Sequence, residues 1–148
     1  MYIPKKLKFK YKFGVRSLKE YCNACSSNIY FRVNGDVTPC SVNSEYILGR
    51  YPENSIKEIV EGEKRKVLNE LFNKGKIPLG CENCSKQLNK GNFFSADFHN
   101  YNNLNRIKNC PTNMEFELDN HCNLKCIMCN PKLSDKHDGG SLIMNKRI

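Results

Sequence analysis

A chain of 148 residues has room for one compact domain, or for a small domain with part of another. Charged residues make up 26% and hydrophobic residues 39%, so a globular core is possible. The formal charge of +9 invites a polyanion partner, but the lysines are scattered through the chain, and nucleic-acid binding is not expected.

The start, MYIPKKLKFKYKFG, lacks an apolar h-region, and no stretch approaches the roughly 18 apolar residues of a membrane helix. A cytoplasmic, reducing setting is therefore expected, with no membrane contact. Nine cysteines, an odd count rich in C-x2-C spacing, then point to metal rather than to a disulfide framework.

Taken in chain order, Leu7, Phe9, Tyr11 and Phe13 alternate with lysines. Period two predicts a strand whose lysine face discourages edge pairing. Ile29, Phe31 and Val33 alternate next, and Asn34-Gly35 predicts a type I′ turn returning through Val37. That hairpin brings Cys22 or Cys25 and Cys40 to one end. Ser55-Ile56-Lys57-Glu58 fits a capping box opening a helix. Val67, Leu68, Leu71 and Phe72 form its apolar stripe, and Gly75 and Pro78 end it. Cys81-Glu82-Asn83-Cys84 follows. Residues 93–113, rich in Asn and aromatics, read as a linker. Met114–Leu118 alternates again and predicts a short strand.

After that strand, Cys122, Cys126 and Cys129 stand at C-x3-C-x2-C spacing. Three thiolates on one loop can hold three irons of a four-iron cluster, leaving the fourth iron open, as a catalytic site requires. A zinc knuckle using His121 is the competing reading. His99 and His137 lack partners at ligand spacing, and no paired carboxylates suggest general acid–base work, so no catalytic side chain is assigned. Asp138-Gly139-Gly140 reads as a turn, and Cys110 as a thiol without a role.

The loop CNLKCIMCN, with Met128 at the apolar position before the last cysteine, resembles that of the radical S-adenosylmethionine (radical SAM) superfamily. The resemblance implies a [4Fe–4S] cluster on Cys122, Cys126 and Cys129, with S-adenosylmethionine on the open iron and Met128 beside its adenine. It implies reductive cleavage to a 5′-deoxyadenosyl radical, fed by an electron donor such as a flavodoxin or ferredoxin. Met114–Asp119 then looks like the first strand of a (β/α)6 barrel. The chain ends at Ile148, so a truncated barrel is expected, or one completed by a separate chain.

Cys22, Cys40, Cys81 and Cys84, with Gly35-x4-Cys40 and the wording NGDVTPC, resemble the auxiliary-cluster ligands of SPASM and twitch domains. That resemblance implies a second [4Fe–4S] cluster and a peptide or protein substrate. Cys25 satisfies the same loose spacing as Cys22 and remains the alternative ligand. The rival is structural zinc on Cys22, Cys25, Cys81 and Cys84, although the pairs lie much farther apart than the roughly 15–20 residues of a zinc ribbon.

The expected architecture is α+β. A cysteine-rich module of hairpin and helix spans residues 1–92, a linker 93–113, and the start of a radical SAM core 114–148. The functional alternative is a non-catalytic zinc or iron–sulfur binding module.

Overall fold

The computed structural model describes residues 18–92, 97–105, 107 and 110–118. The lysine-faced strand at Leu7–Phe13, the loop cysteines Cys122, Cys126 and Cys129, Met128, His121, His137 and Gly139-Gly140 lie outside the described residues.

The fold is mixed α+β. A four-stranded sheet runs in the order β3-β2-β1-β4. Its strands are β1 (Asn28–Phe31), β2 (Asp36–Thr38), β3 (Gly49–Arg50) and β4 (Asn113–Phe116). Four α-helices accompany it among the described residues: α1 (Ala24–Ser27), α2 (Ile56–Glu61), α3 (Glu63–Asn73) and α4 (Glu82–Asn89). Short 3-10 turns cover Leu18–Glu20 and Asp97–Asn100.

The expected hairpin is present, with Tyr30 opposite Thr38 and Phe31 opposite Val37. Its turn differs from the expected type I′. The Gly35 N–H donates to the Arg32 carbonyl at 2.9 Å, and the Arg32 N–H to the Asp36 carbonyl at 2.8 Å. Val33 and Asn34 are therefore the central residues, and Gly35 follows them at φ +88°. This is a three-residue loop whose αL position needs glycine. Asn34 holds it, since its Oδ1 accepts the Asp36 N–H at 3.0 Å. Val33, expected to continue the strand, instead sits half-buried in the turn.

The capping box at Ser55 forms as expected, with Ser55 and Glu58 each accepting from the other's backbone N–H. The expected single helix is two. Gly62 breaks the chain in extended conformation between α2 and α3. Of the predicted stripe, Leu68 and Phe72 are buried, while Val67 is 40% exposed. Arg65 takes the vacated inner position at 3% exposure. Its guanidinium donates to the carbonyls of Asn28 (3.1 Å) and Ser26 (3.0 Å) at the end of α1. A long cation can be buried this way because backbone oxygens satisfy its donors.

Two features tie the later chain into the same body. Residues 97–105, expected as linker, contribute Phe98 (1% exposed) and Tyr101 (3%) to the core. The Tyr21 and Phe98 rings lie 5.7 Å apart. β4 then pairs parallel with β1, Asn28 opposite Asn113 through Phe31 opposite Phe116. The Phe31 and Phe116 rings stack at 4.8 Å. The alternation of Met114–Leu118 therefore does make a strand, but its apolar members stay exposed because β4 is the edge strand of the sheet. Met114, Phe116 and Leu118 are exposed, while Glu115 and Glu117 are half-buried. The acids find partners. Glu115 Oε2 accepts from the Tyr101 hydroxyl at 3.4 Å, and Glu117 Oε2 from the Val33 N–H at 3.3 Å.

Among the described residues no helix is long and apolar enough to cross a membrane.

Candidate metal centre

The sheet delivers cysteines to one end. Cys22 and Cys25 precede β1, and Cys40 follows β2, so both flank the end of the hairpin opposite its turn. Cys81 caps the start of α4 and Cys84 lies in its first turn. Cys22 and Cys25 are buried, and Cys40, Cys81 and Cys84 are half-buried against the same core. All six described cysteines are free, and Cys110 is exposed, apart from this group.

The five sulfurs sense one another. Cys22 feels the charge of Cys40, Cys81 and Cys84. Cys25 feels Cys22, Cys81 and Cys40. Yet among the described residues no three His, Cys, Asp or Glu side chains stand close enough to share one metal ion. The group is thiols only, a donor set that both an iron–sulfur cluster and structural zinc accept.

Hydrogen bonds divide the five. The Ala24 backbone N–H donates to Cys22. The Asn43 and Val42 N–H groups donate to Cys40. The Phe98 and Asp97 N–H groups donate to Cys84. Cys81 accepts from the Asn43 side-chain amide at 3.6 Å, an ordinary length for a bond to the large sulfur atom. Donors of this kind favour the thiolate. Cys25 behaves differently, because its thiol lies against the Cys81 thiol and bonds to it. That bond is the chief reason the Cys25 thiol is held well above its usual range, and the chief reason Cys81 falls below it.

Burial dominates at the other sites. It pushes Cys22 far up, Cys40 to about 11 and Cys84 upward. The sign for stability follows. A thiol whose pKa is raised by folding keeps its proton more firmly in the folded chain than in the unfolded one. Its contribution is complete below the ordinary value of 9.0 and is lost as the pH climbs towards about 11. The thermal midpoint of the metal-free chain, followed by circular dichroism, is expected to fall steadily from pH 8.5 to 11. A flat midpoint over that window contradicts the burial of these thiols.

Several residues that sequence reasoning passed over hold the cysteine loops. Asn43 is 1% exposed. Its amide N–H donates to the Leu79 carbonyl at 2.8 Å, and its oxygen accepts the Glu45 and Tyr46 N–H groups. It thus locks the loop after Cys40 onto the approach to Cys81. Gly80, at φ +79°, permits this, because a Cβ there would collide with the Asn43 amide. Asn23, between Cys22 and Cys25, donates to the carbonyls of Asn102 (3.1 Å) and Leu104 (2.8 Å). The Tyr101 hydroxyl accepts the Ser41 N–H beside Cys40 at 3.3 Å. Residues 97–105 therefore strap the Cys22–Cys25 segment and the loop after Cys40 together. A buried asparagine beside a cysteine is the sort of signal that could have marked Asn43. Nothing local marks Phe98 or Tyr101.

A family model described as SPASM, an iron-sulfur cluster-binding domain, matches residues 10–85, just over half of the chain. It covers Cys22, Cys25, Cys40, Cys81 and Cys84 and stops short of the strap. No curated protein and no solved structure matches the chain.

Proposed function

The chain belongs to the SPASM family of iron–sulfur cluster-binding domains, and from that premise we propose that Cys22, Cys40, Cys81 and Cys84 hold an auxiliary [4Fe–4S] cluster in a radical SAM protein. The observation that carries the ligand choice is the hydrogen bonding. Each of these four sulfurs accepts at least one N–H donor, the arrangement suited to a thiolate, whereas Cys25 lies against the Cys81 thiol and titrates together with it. Arg65 adds a buried positive charge near Cys25, which would partly offset the negative charge of a cluster. The protein encloses the group by burial and fixes its thiolates from both ends of the module.

Downstream, the C-x3-C-x2-C spacing supports a second [4Fe–4S] cluster on Cys122, Cys126 and Cys129, with Met128 on the adenine side of S-adenosylmethionine. Such a cluster supplies reductive cleavage of S-adenosylmethionine when an electron donor such as a flavodoxin or ferredoxin reduces it. A peptide or protein substrate and cytoplasmic operation complete the reading, both by family analogy.

One observation favours a second reading. The contact between Cys25 and Cys81 joins the two C-x2-C pairs, as structural zinc on Cys22, Cys25, Cys81 and Cys84 would. Anaerobic reconstitution with iron and sulfide separates the two. About eight irons per chain, with a reduced-cluster EPR signal altered by S-adenosylmethionine, is the expected result. Uptake of zinc alone, with no such signal, supports the second reading and removes the first.

A further inference from the structure

We propose that Asn43 is a positioning residue that sets the reduction potential of the auxiliary cluster through its hydrogen bond to Cys81. The inference rests on the cluster reading above and extends it to a residue outside the ligand set. Among the described residues Asn43 donates to two of the four ligands. Its backbone N–H reaches Cys40, and its side-chain amide reaches Cys81 at 3.6 Å. The amide is not free to turn away. Its oxygen is committed to the Glu45 N–H at 3.2 Å and the Tyr46 N–H at 2.9 Å. Its nitrogen also donates to the Leu79 carbonyl at 2.8 Å. These bonds fix which way the amide faces, so the N–H groups point to the Cys81 side. The side chain is 1% exposed, so water does not replace the donor when the amide is removed.

The physical consequence is directional. One-electron reduction adds negative charge that spreads onto the cluster's sulfurs. A fixed N–H donor stabilises the more negative state more strongly, and so raises the potential. The low-dielectric surroundings of a buried site strengthen that preference. Loss of the donor should favour the oxidised cluster.

Asn43→Ala and Asn43→Asp both remove the donor, the first without added charge and the second with the turn kept. Asn43→Asp keeps the oxygen that accepts the Glu45 and Tyr46 N–H groups. It also brings a negative charge, which Ser44→Asp supplies at the exposed neighbouring position without a bond to sulfur. Each variant is reconstituted in the full chain, assayed for iron, and titrated under EPR. The auxiliary signal is read in the presence of Cys122→Ala, Cys126→Ala and Cys129→Ala, so that one cluster is observed.

The expected result is unchanged iron content for Asn43→Asp, with a potential lower than that of Ser44→Asp. The shift should correspond to about a tenfold change in the reduction equilibrium, roughly 59 mV for one electron. Asn43→Ala should shift in the same direction. Equal potentials for Asn43→Asp and Ser44→Asp overturn the proposal, even if Asn43→Ala fails to fold. A parent chain that takes up zinc alone and shows no redox couple overturns the cluster reading as well. A parent chain that loads iron normally, with unmoved Asn43 variants, overturns this inference alone.

Discussion

Cys22→Ala is expected to strip the auxiliary cluster, whereas Cys25→Ala should retain it. Both thiols are buried, both precede β1, and both meet the spacing of the family motif, so burial and sequence position do not separate them. Their hydrogen bonds do. Cys22 accepts the Ala24 N–H, a bond that stabilises its thiolate. Cys25 has the Cys81 thiol as its main partner instead, and the two titrate as a pair. Loss of a ligating thiolate leaves one iron without a protein ligand, and a drop of about four irons per chain is the expected reading for Cys22→Ala. Cys40→Ala, Cys81→Ala and Cys84→Ala should behave like Cys22→Ala. Iron assay after anaerobic reconstitution checks the set, with circular dichroism confirming that each variant folds. Equal iron in the Cys22 and Cys25 variants would refute the ligand choice.

Phe98→Ala should be among the most destabilising single changes in the described chain. Its side chain is 1% exposed and packs on Tyr21, next to Cys22. Truncating a buried Phe costs about 3–5 kcal/mol, against a total of about 5–15 kcal/mol for a domain. The change also reaches the metal centre, because the Phe98 and Asp97 N–H groups are donors to Cys84. A large fall in the urea midpoint is expected, together with weaker iron retention. Leu118→Ala, at a site 57% exposed, should move stability by no more than about 0.5 kcal/mol. If residues 93–113 were only a linker, the two variants would unfold at the same urea concentration.

What the sequence made legible was local. Ile29, Phe31 and Asn34-Gly35 announced the hairpin because alternation and a turn glycine act over a few residues. Ser55 and Glu58 announced the helix start for the same reason, and C-x2-C spacing marked Cys81 and Cys84. The turn type was misread because Asn-Gly serves both a two-residue loop and the end of a three-residue one. The choice depended on how Asn34 bonds to Asp36.

The rest was settled by distant partners. Arg65 reads as a surface residue of an amphipathic helix, and only the carbonyls of Ser26 and Asn28 explain its burial. Phe98 and Tyr101 sit in a single short turn, too brief for any periodicity to show. Met114–Leu118 declared a strand but not its neighbour. Met114 and Phe116 share the face of Ile29 and Phe31 yet stay exposed because β4 is an edge strand, while Glu115 and Glu117 bond to Tyr101 and Val33. Asn43 was silent because a buried amide is recognisable only once Cys40 and Cys81 have been brought together.

The strap and β4 bear on how such a chain is made. The Asn23 amide between the first two cysteines donates to the distant Asn102 and Leu104 carbonyls, and β1 waits for β4 to cover its open edge. At about 5–20 residues per second, a ribosome needs roughly 4–15 s to pass from Cys22 to Phe98. During that interval the early thiols stand reduced and unenclosed, and the edge of β1 is bare. Iron delivered before Phe98 emerges would meet an open cup, with Cys84 still lacking its backbone donors. The enclosure of the cysteines is thus complete only at the end of synthesis of this region.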